Sequence, residues 1–374
     1  MLRRILPFLL LALGMFLGIL ALEICFRLLP VNRGLVRLEP SVAWPLSNYR
    51  PHVSYSYSRS WSLLNPQHGR SNNYGHLASF DYEPGGAAVA VIGDSYIEAR
   101  MNRFNDTIQA QLGDMLGLQR KVYGLGANGL SIADYLVLSK QAATEFKPAA
   151  FVYVIVDNDL SEAVVRRKGW HHFAPSSPSF PVYVPEREGK RSWMNDFLAS
   201  SSLYRYLKGN LGVSFDFAAV YRSPANAAPA IAVAPARRAM EISAIKQFVA
   251  MLPEATGLPS SCHIFLLDTD RYAIYDQRKA STPIDAAALK THFLDEAKSA
   301  GLTIIDLAPL FAADYASENK KFDYFPNDRH WNWRGHHIAA LAAKQALQGS
   351  ASSCLAARQS QAVAVQAKHN ERDQ

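Results

Sequence analysis

The sequence predicts an α/β fold: a three-layer α/β/α sandwich around a mostly parallel sheet, preceded by one N-terminal transmembrane helix. Three observations carry this. Short apolar runs rich in β-branched and aromatic residues alternate with segments of helical periodicity along the chain, the pattern of a parallel sheet covered on both faces. The run Phe151–Val156 is continuously apolar, as a strand buried on both faces requires. Arg3 and Arg4 precede an unbroken apolar run, Ile5 to Leu22, that resumes after Glu23 through Leu29, about the length that crosses a bilayer.

Each element follows from its residues. Val89–Ile92 reads as a strand, Thr107–Leu116 as a helix and Lys121–Leu125 as a second strand. Ile132–Phe146 is helical, with Ser131 as its cap, and Phe151–Val156 is the third strand. The alternation then breaks. Residues from about 160 to 235 hold Trp170-His171-His172, several prolines and a Ser/Ala/Pro-rich stretch, and read as an insertion with a helical piece from Trp193 to Leu207. Alternation resumes with a helix at Ala236–Leu252 and a strand at His263–Leu267. A helix from Pro283 in its first turn to Ala300 is stopped by Gly301. Thr303–Leu307 is the last strand. Asn332 caps a helix, Trp333–Leu347, ended by Gly349. The expected organisation is an anchor over 1–30, an irregular segment over 31–88 wrapping the main domain, that domain over 89–348, and a polar, disordered tail over 349–374.

The bulk numbers set limits. Of 374 residues, 49% are hydrophobic and 19% charged, enough apolar content for a large core. The formal charge of +7 is dispersed, without a Lys/Arg block or a nucleic-acid-binding signature, so no nucleic-acid partner is expected. It suits solubility, or attraction to acidic glycans or anionic lipid. No Ala-x-Ala site follows the apolar run, so it reads as an uncleaved anchor, and Glu23-Ile24 before Cys25 do not make a lipobox. Of the three cysteines, Cys262 and Cys354 form a disulfide if the body is exported, or else stay as two partly buried thiols.

The chemistry-bearing residues lie at strand ends. Gly93-Asp94-Ser95 follows the first strand, where open α/β sheets bind ligands. Asp328 stands two residues before His330, just ahead of the last helix. A nucleophilic serine needs a base, and the base needs an orienting carboxylate. All three are expected at loop positions. Between them lie a glycine-rich loop ending at Gly129 and the turn Val156-Asp157-Asn158-Asp159. Gly129 can bring a backbone N–H close to a ligand, or be an ordinary turn. Asn158 can aim an amide at an oxyanion, or cap a helix. Trp331 and Trp333 either stack on a sugar ring or pack under the last helix. His171 and His172 either line a sugar surface or sit in a solvated loop. His336 and His337 beside His330 lack a metal-binding motif and point to different helix faces, so no metal and no cofactor is expected.

In these residues the chain resembles the SGNH, or GDSL-type, hydrolase superfamily, whose fold is flavodoxin-like. Gly93, Asp94 and Ser95 match its first block, Gly129 the second, Asn158 the third, and Asp328 with His330 the fourth. Two departures stand out. Val156 and Asp157 replace the usual third-block glycines, and Asp-x-His replaces Asp-x-x-His, which would have put Asn327 at the aspartate position. That spelling is similar to a membrane-associated branch related to alginate O-acetylation proteins. The resemblance implies Ser95, Asp328 and His330 as a triad, with Ser95, Gly129 and Asn158 as the oxyanion hole. It further implies an ester hydrolase or O-acyltransferase acting on an acylated cell-envelope carbohydrate. The main domain would lie outside the cytoplasmic membrane, beside an integral membrane acyl-transfer partner. The alternative is a non-catalytic scaffold of the same shape that binds glycan or an assembly partner, with the Asp328–His330 pair out of reach of Ser95.

Overall fold

The computed structural model describes residues 2–41, 44–174, 180–185, 198, 200–213, 234–276, 284–324 and 328–356. The expected helix start at Trp193, the Ser/Ala/Pro-rich stretch up to residue 233, Pro283, Asn327 and the tail beyond residue 356 lie outside them. The chain divides into two compact units.

The larger unit spans Val36–His52, Ser71–Arg187 and Pro229–Gln374. Its centre is a parallel sheet of five strands: β1 (Val89–Gly93), β2 (Val122–Gly126), β3 (Ala150–Ile155), β4 (His263–Leu267) and β5 (Thr303–Asp306). The spatial order is β5-β4-β3-β1-β2. Side chains alternate across a strand, so each strand feeds two cores. Ala90, Ile92, Phe151, Tyr153, Phe265 and Leu267 face one core. Three helices pack on it: α1 (Ile132–Glu145), α2 (Ala234–Thr256) and α3 (Ile284–Ser299). Val89, Val91, Val152, Val154, Ile264 and Leu266 face the other, with helices Ile108–Leu116, Ala308–Glu318 and Trp333–Gln348. This is the α/β fold with helices on both faces that the alternation predicts.

Four local differences have physical reasons. α2 runs past Pro253, because proline removes only its own N–H bond, and it stops where Gly257 (φ +69°) donates to the Pro253 carbonyl at 2.8 Å. The helix Ala308–Glu318 was not expected, since its only fully buried side chain is Phe311 and a one-residue stripe leaves no period to read. The short helix Arg271–Asp276 was missed for the same lack of pattern. Asp328–Trp331 is a strand paired antiparallel with Asp323–Tyr324, not a loop.

The smaller unit spans Met1–Leu35, Val53–Arg70 and Glu188–Ala228. Its helix Leu2–Leu28 contains the span Ile5–Leu28, of mean hydropathy 2.7, which is long and apolar enough to cross a membrane. The one acidic residue in that span, Glu23, has a structural task. Its carboxylate accepts from Ser201 Oγ at 2.8 Å and from the N–H groups of Ser202 and Leu203 at 3.0 Å, and pairs with Arg27. It thereby satisfies the orphan donors that open the helix Ser202–Arg205. A hairpin, Ser54–Arg59 with Leu64–Arg70, completes the described part. Serines between the tyrosines of the first strand, and Pro66 in the second, hid this pairing in a segment read as irregular.

Cys262 and Cys354 are joined in a disulfide that closes a separation of 92 residues, with Cα atoms 5.8 Å apart. Cross-linking so long a loop restricts the unfolded chain by about 2–4 kcal/mol. A Cys262→Ser, Cys354→Ser variant is therefore expected to unfold at lower urea concentration than the oxidised protein. Urea titrations with and without reductant check this, and a midpoint insensitive to both would refute it.

Candidate active site

The site forms at the carboxyl edge of the sheet, where β1 is flanked by β2 on one side and β3 on the other. Connections leave in opposite directions there and open a crevice. β1 ends in Gly93, and Asp94 caps a short helix, Ser95–Glu98, by accepting from Tyr96 N–H at 2.9 Å. A side chain at Gly126, the end of β2, would lie 2.7 Å from the backbone N of Glu98, so glycine there lets this turn close onto its neighbour. Ser95 is thus presented at the crevice, 9% exposed.

His330 and Asp328 reach it from the strand Asp328–Trp331. Residues two apart on a strand share a face, and this makes the Asp-x-His spacing work. Asp328 Oδ1 accepts from the His330 backbone N–H at 3.0 Å and lies 2.5 Å from His330 Nδ1. His330 Nε2 lies 2.8 Å from Ser95 Oγ. The pair is therefore within hydrogen-bond reach of the serine. Ser95 Oγ also lies 3.1 Å from Asp94 Oδ2, so its single proton has two acceptors in reach. Burial pushes the Asp94 carboxyl up from its ordinary value.

Gly129 and Asn158 line the same cleft of about 410 Å³ with Ser95 and His330. Gly129 has φ +81°, and the Trp170 ring lies 3.2 Å from where a Cβ would stand. The Asn128 carbonyl accepts from Arg37 Nη2 at 2.6 Å, and the Gly129 carbonyl from Arg167 Nη2 at 2.8 Å. In a trans peptide the C=O and the following N–H point oppositely. Holding the Asn128 carbonyl therefore turns the Gly129 N–H away from Arg37. Trp170 lies between the two arginines, with guanidinium carbons 4.7 Å and 5.0 Å from its ring centre. Asn158 occupies the cap position of the short helix Asp159–Glu162, but its side chain makes no capping bond. Asp159 closes this turn instead: its Oδ2 accepts from Val156 N–H at 2.8 Å and from Tyr135 OH at 2.9 Å.

Sequence reasoning missed the residues that hold the strand bearing His330. Arg271, 3% exposed, donates to Asp268, to Asp323 Oδ2 at 3.2 Å, to Tyr96 OH at 3.1 Å and to the carbonyl of Arg329. Tyr96 OH donates to that same carbonyl at 2.9 Å, and Trp331 Nε1 to Asp268 Oδ1 at 3.1 Å. Burial alone would lower Arg271, but the charge of Asp268 and the interaction with Tyr96, with the hydrogen bonds to both, together hold the guanidinium well above its usual range. The available signal was position: Asp268 directly follows β4, at the same sheet edge as Ser95.

The remaining candidates sort by burial. Trp331 is fully buried and packs, whereas Trp333 is exposed. His171 and His172 are buried in a strand, Trp170–His172, and not in a solvated loop. His171 lies 3.0 Å from Asp134 Oδ1, because that carboxylate also caps the His171 N–H. Burial pushes His336 down to about 3; it accepts from Ile108 N–H at 3.2 Å, while His337 contacts Gln111.

No family model and no curated protein sequence matches this chain. Among solved structures, a lipolytic protein of the G-D-S-L family from Veillonella parvula is similar at 12% identity and TM-score 0.36, covering 70% of this chain and 98% of its own. An acetyl xylan esterase is similar at 15% identity and TM-score 0.39, covering 69% and 99%. An α/β hydrolase from the metagenome of Lake Arreo, Spain, has 15% identity and TM-score 0.39, covering 71% and 98%. At that level of likeness the chemistry has to come from this chain's own residues.

Two outcomes are expected of the buried charges. Arg271→Met leaves Asp268 and Asp323 buried without their cation, which costs about 3–5 kcal/mol. Urea denaturation measures it, and a loss under ~1 kcal/mol would contradict this account. Asp159 is pushed well above the carboxylate range by burial and then by the nearby Asp94, and its Oδ1 is buried without a hydrogen-bond partner. A carboxyl raised in the fold contributes stability below its unfolded pKa that is lost as pH rises towards the folded value. Asp159→Asn should thus flatten the fall of stability with rising pH above ~4. Stability measured from pH 4 to 8 with an unchanged slope would refute the assignment.

Proposed function

We propose that this chain is a serine-dependent ester hydrolase or O-acyltransferase. The observation that carries the proposal is the continuous contact from Asp328 through His330 to Ser95, at 2.5 Å and 2.8 Å. His330 takes the proton of Ser95 as Oγ attacks the ester carbonyl. Asp328 holds Nδ1–H, fixes the tautomer and stabilises the imidazolium. The N–H groups of Ser95 and Gly129 and the amide of Asn158 take the charge of the tetrahedral oxyanion, each worth about 3–4 kcal/mol. The tetrahedral species collapses, His330 returns the proton to the leaving alcohol, and an acyl group remains on Oγ. Water completes hydrolysis, and a sugar hydroxyl completes transfer.

The cleft is lined by Asp157, Glu162, Arg167, Asp270 and Arg329, side chains suited to a polar substrate. Together with a helix able to anchor the chain in a membrane, this favours an acylated cell-envelope carbohydrate, met outside the cytoplasmic membrane. The Asp-x-His spacing supports a place in the membrane-associated branch linked to alginate O-acetylation, where an integral membrane partner would deliver the acyl group.

The test is turnover of p-nitrophenyl acetate by the full-length protein in detergent. Ser95→Ala should lower kcat by at least about 10³-fold, and Asn158→Ala by about 10²-fold with KM little changed. Mass spectrometry should find an acetyl group on Ser95 under rapid quench. Added sugar that accelerates nitrophenolate release and becomes acetylated would select transfer over hydrolysis. Equal rates in wild type and Ser95→Ala, with no acyl group on Ser95, would overturn the proposal.

A further inference from the structure

Ahead of β1 in the larger unit lies a two-stranded antiparallel ribbon, Arg37–Leu38 with Asn48–Tyr49, that carries none of the reacting groups. Its seat is close-fitting. Asn48 Nδ2 donates to the Tyr74 carbonyl at 2.5 Å, and a side chain at Gly75 (φ +80°) would stand 2.1 Å from the Tyr49 carbonyl oxygen. Glycine at position 75 therefore lets the two backbones touch. Glu39, directly after the first strand, accepts from Tyr183 OH at 2.7 Å.

Arg37 and Tyr49 stand opposite each other across the ribbon. Opposed residues of an antiparallel pair leave on the same face with Cβ atoms about 5 Å apart, and here the Arg37 guanidinium carbon lies 5.8 Å from the Tyr49 ring centre. From that face they reach two different turns. Arg37 Nη2 donates to the Asn128 carbonyl at 2.6 Å, in the loop after β2. Tyr49 OH donates to Glu98 Oε1 at 2.6 Å, in the turn after β1. Glu98 closes the short helix that Ser95 opens, with its N–H on the Asp94 carbonyl at 3.0 Å. Its carboxyl is buried, and among the described residues its Oε2 meets no donor, so the hold on it falls to Tyr49. Burial, and then the charge of Glu98, push the Tyr49 hydroxyl above its ordinary range, which keeps it a donor.

The peptide that Arg37 holds by its carbonyl is the one whose N–H belongs to Gly129. Without that bond this peptide could rotate, because glycine tolerates either sign of φ. Arg167 holds the Gly129 carbonyl, which belongs to the next peptide. The turn that Tyr49 holds by its last side chain is the one whose first residue is Ser95. One cross-strand pair thus spans the two loops whose N–H groups would share an oxyanion, and such donors act only when aimed at the developing charge.

We propose that Arg37 and Tyr49 are positioning residues that set the oxyanion hole, Arg37 by orienting the Gly129 N–H and Tyr49 by fixing, through Glu98, the turn that presents Ser95. The proposal rests on the reading of Ser95 and Gly129 as oxyanion donors. Turnover of p-nitrophenyl acetate by the full-length protein in detergent is measured for Arg37→Met, Arg37→Lys and Tyr49→Phe. Inhibition by methylboronic acid is measured beside it; its boron bonds Ser95 Oγ as a tetrahedral anion while the serine proton passes to His330. A donor moved out of line costs less than a donor removed, so Arg37→Met and Tyr49→Phe should each lower kcat by about tenfold with KM little changed. Boronate inhibition should weaken by a similar factor, because the anionic adduct uses the same donors. Arg37→Lys keeps an N–H within reach of the carbonyl and should restore most of kcat. A merely structural ribbon would lower the urea midpoint and leave kcat and boronate inhibition of the folded protein unmoved. Tyr49→Phe strands the Glu98 carboxyl. If it does not fold, Tyr49→Phe with Glu98→Met removes both polar ends of the tether and should show the same loss of kcat.

Wild-type kcat and boronate inhibition in folded Arg37→Met overturn the role of Arg37, and in the folded Tyr49 variants that of Tyr49. A loss confined to KM makes Arg37 a substrate contact and overturns its positioning role, as does Arg37→Lys no more active than Arg37→Met. Equal turnover by wild type and Ser95→Ala overturns the serine ester reading and this proposal together, whereas Ser95-dependent turnover with unaffected ribbon variants overturns the ribbon alone.

Discussion

The arrangement at the sheet edge depends on one buried cation. Arg271 gathers four partners: the neighbouring Asp268 after β4, and, from two distant parts of the chain, Tyr96 beside the serine and Asp323 with the Arg329 carbonyl in the antiparallel strands Asp323–Tyr324 and Asp328–Trp331. A buried guanidinium is expensive unless its donors are met, and here they are met only when the strand Asp328–Trp331 is seated beside Asp323–Tyr324. The cost of leaving it unpaired therefore selects one placement of the strand that carries Asp328 and His330. The serine and its candidate base are more than two hundred positions apart in sequence, and this cluster sets their separation.

Around that cluster the fold supplies rigidity. Strands β1 to β4 are buried on both faces, so the peptide edges bearing Ser95, Gly129, Asn158 and Asp268 are fixed by two cores at once. The loops then need only short-range help. Asp94, Asp159, Arg37 and Arg167 provide it by binding backbone N–H or C=O groups of the turns beside them.

The smaller unit follows a different logic. Its helix is long and apolar enough to cross a membrane, and Trp61 is exposed. Glu23, which interrupts an otherwise apolar run, is the point at which the helix is tied to the unit by capping Ser202–Arg205.

Much of the larger unit was legible in the residues themselves. The strands are long uninterrupted β-branched and aromatic runs, and burial on both faces leaves that signature whatever the neighbours are. Ser95 was legible because it follows such a run, and Gly129 and Asn158 because they end others. The hairpin Ser54–Arg70 and the helix Ala308–Glu318 were not, since elements packed on a single residue or on serine-spaced tyrosines carry no period. Local sequence by itself determined the strands, the amphipathic helices, the apolar span and the candidate groups at strand ends. Tertiary structure alone decided the strand order, the pairing of Cys262 with Cys354, the seating of His330 on Ser95 through Arg271, and the contact of Arg37 with the Asn128 carbonyl. Those contacts join residues far apart in the chain, and no local pattern encodes which distant partner will satisfy a buried charge.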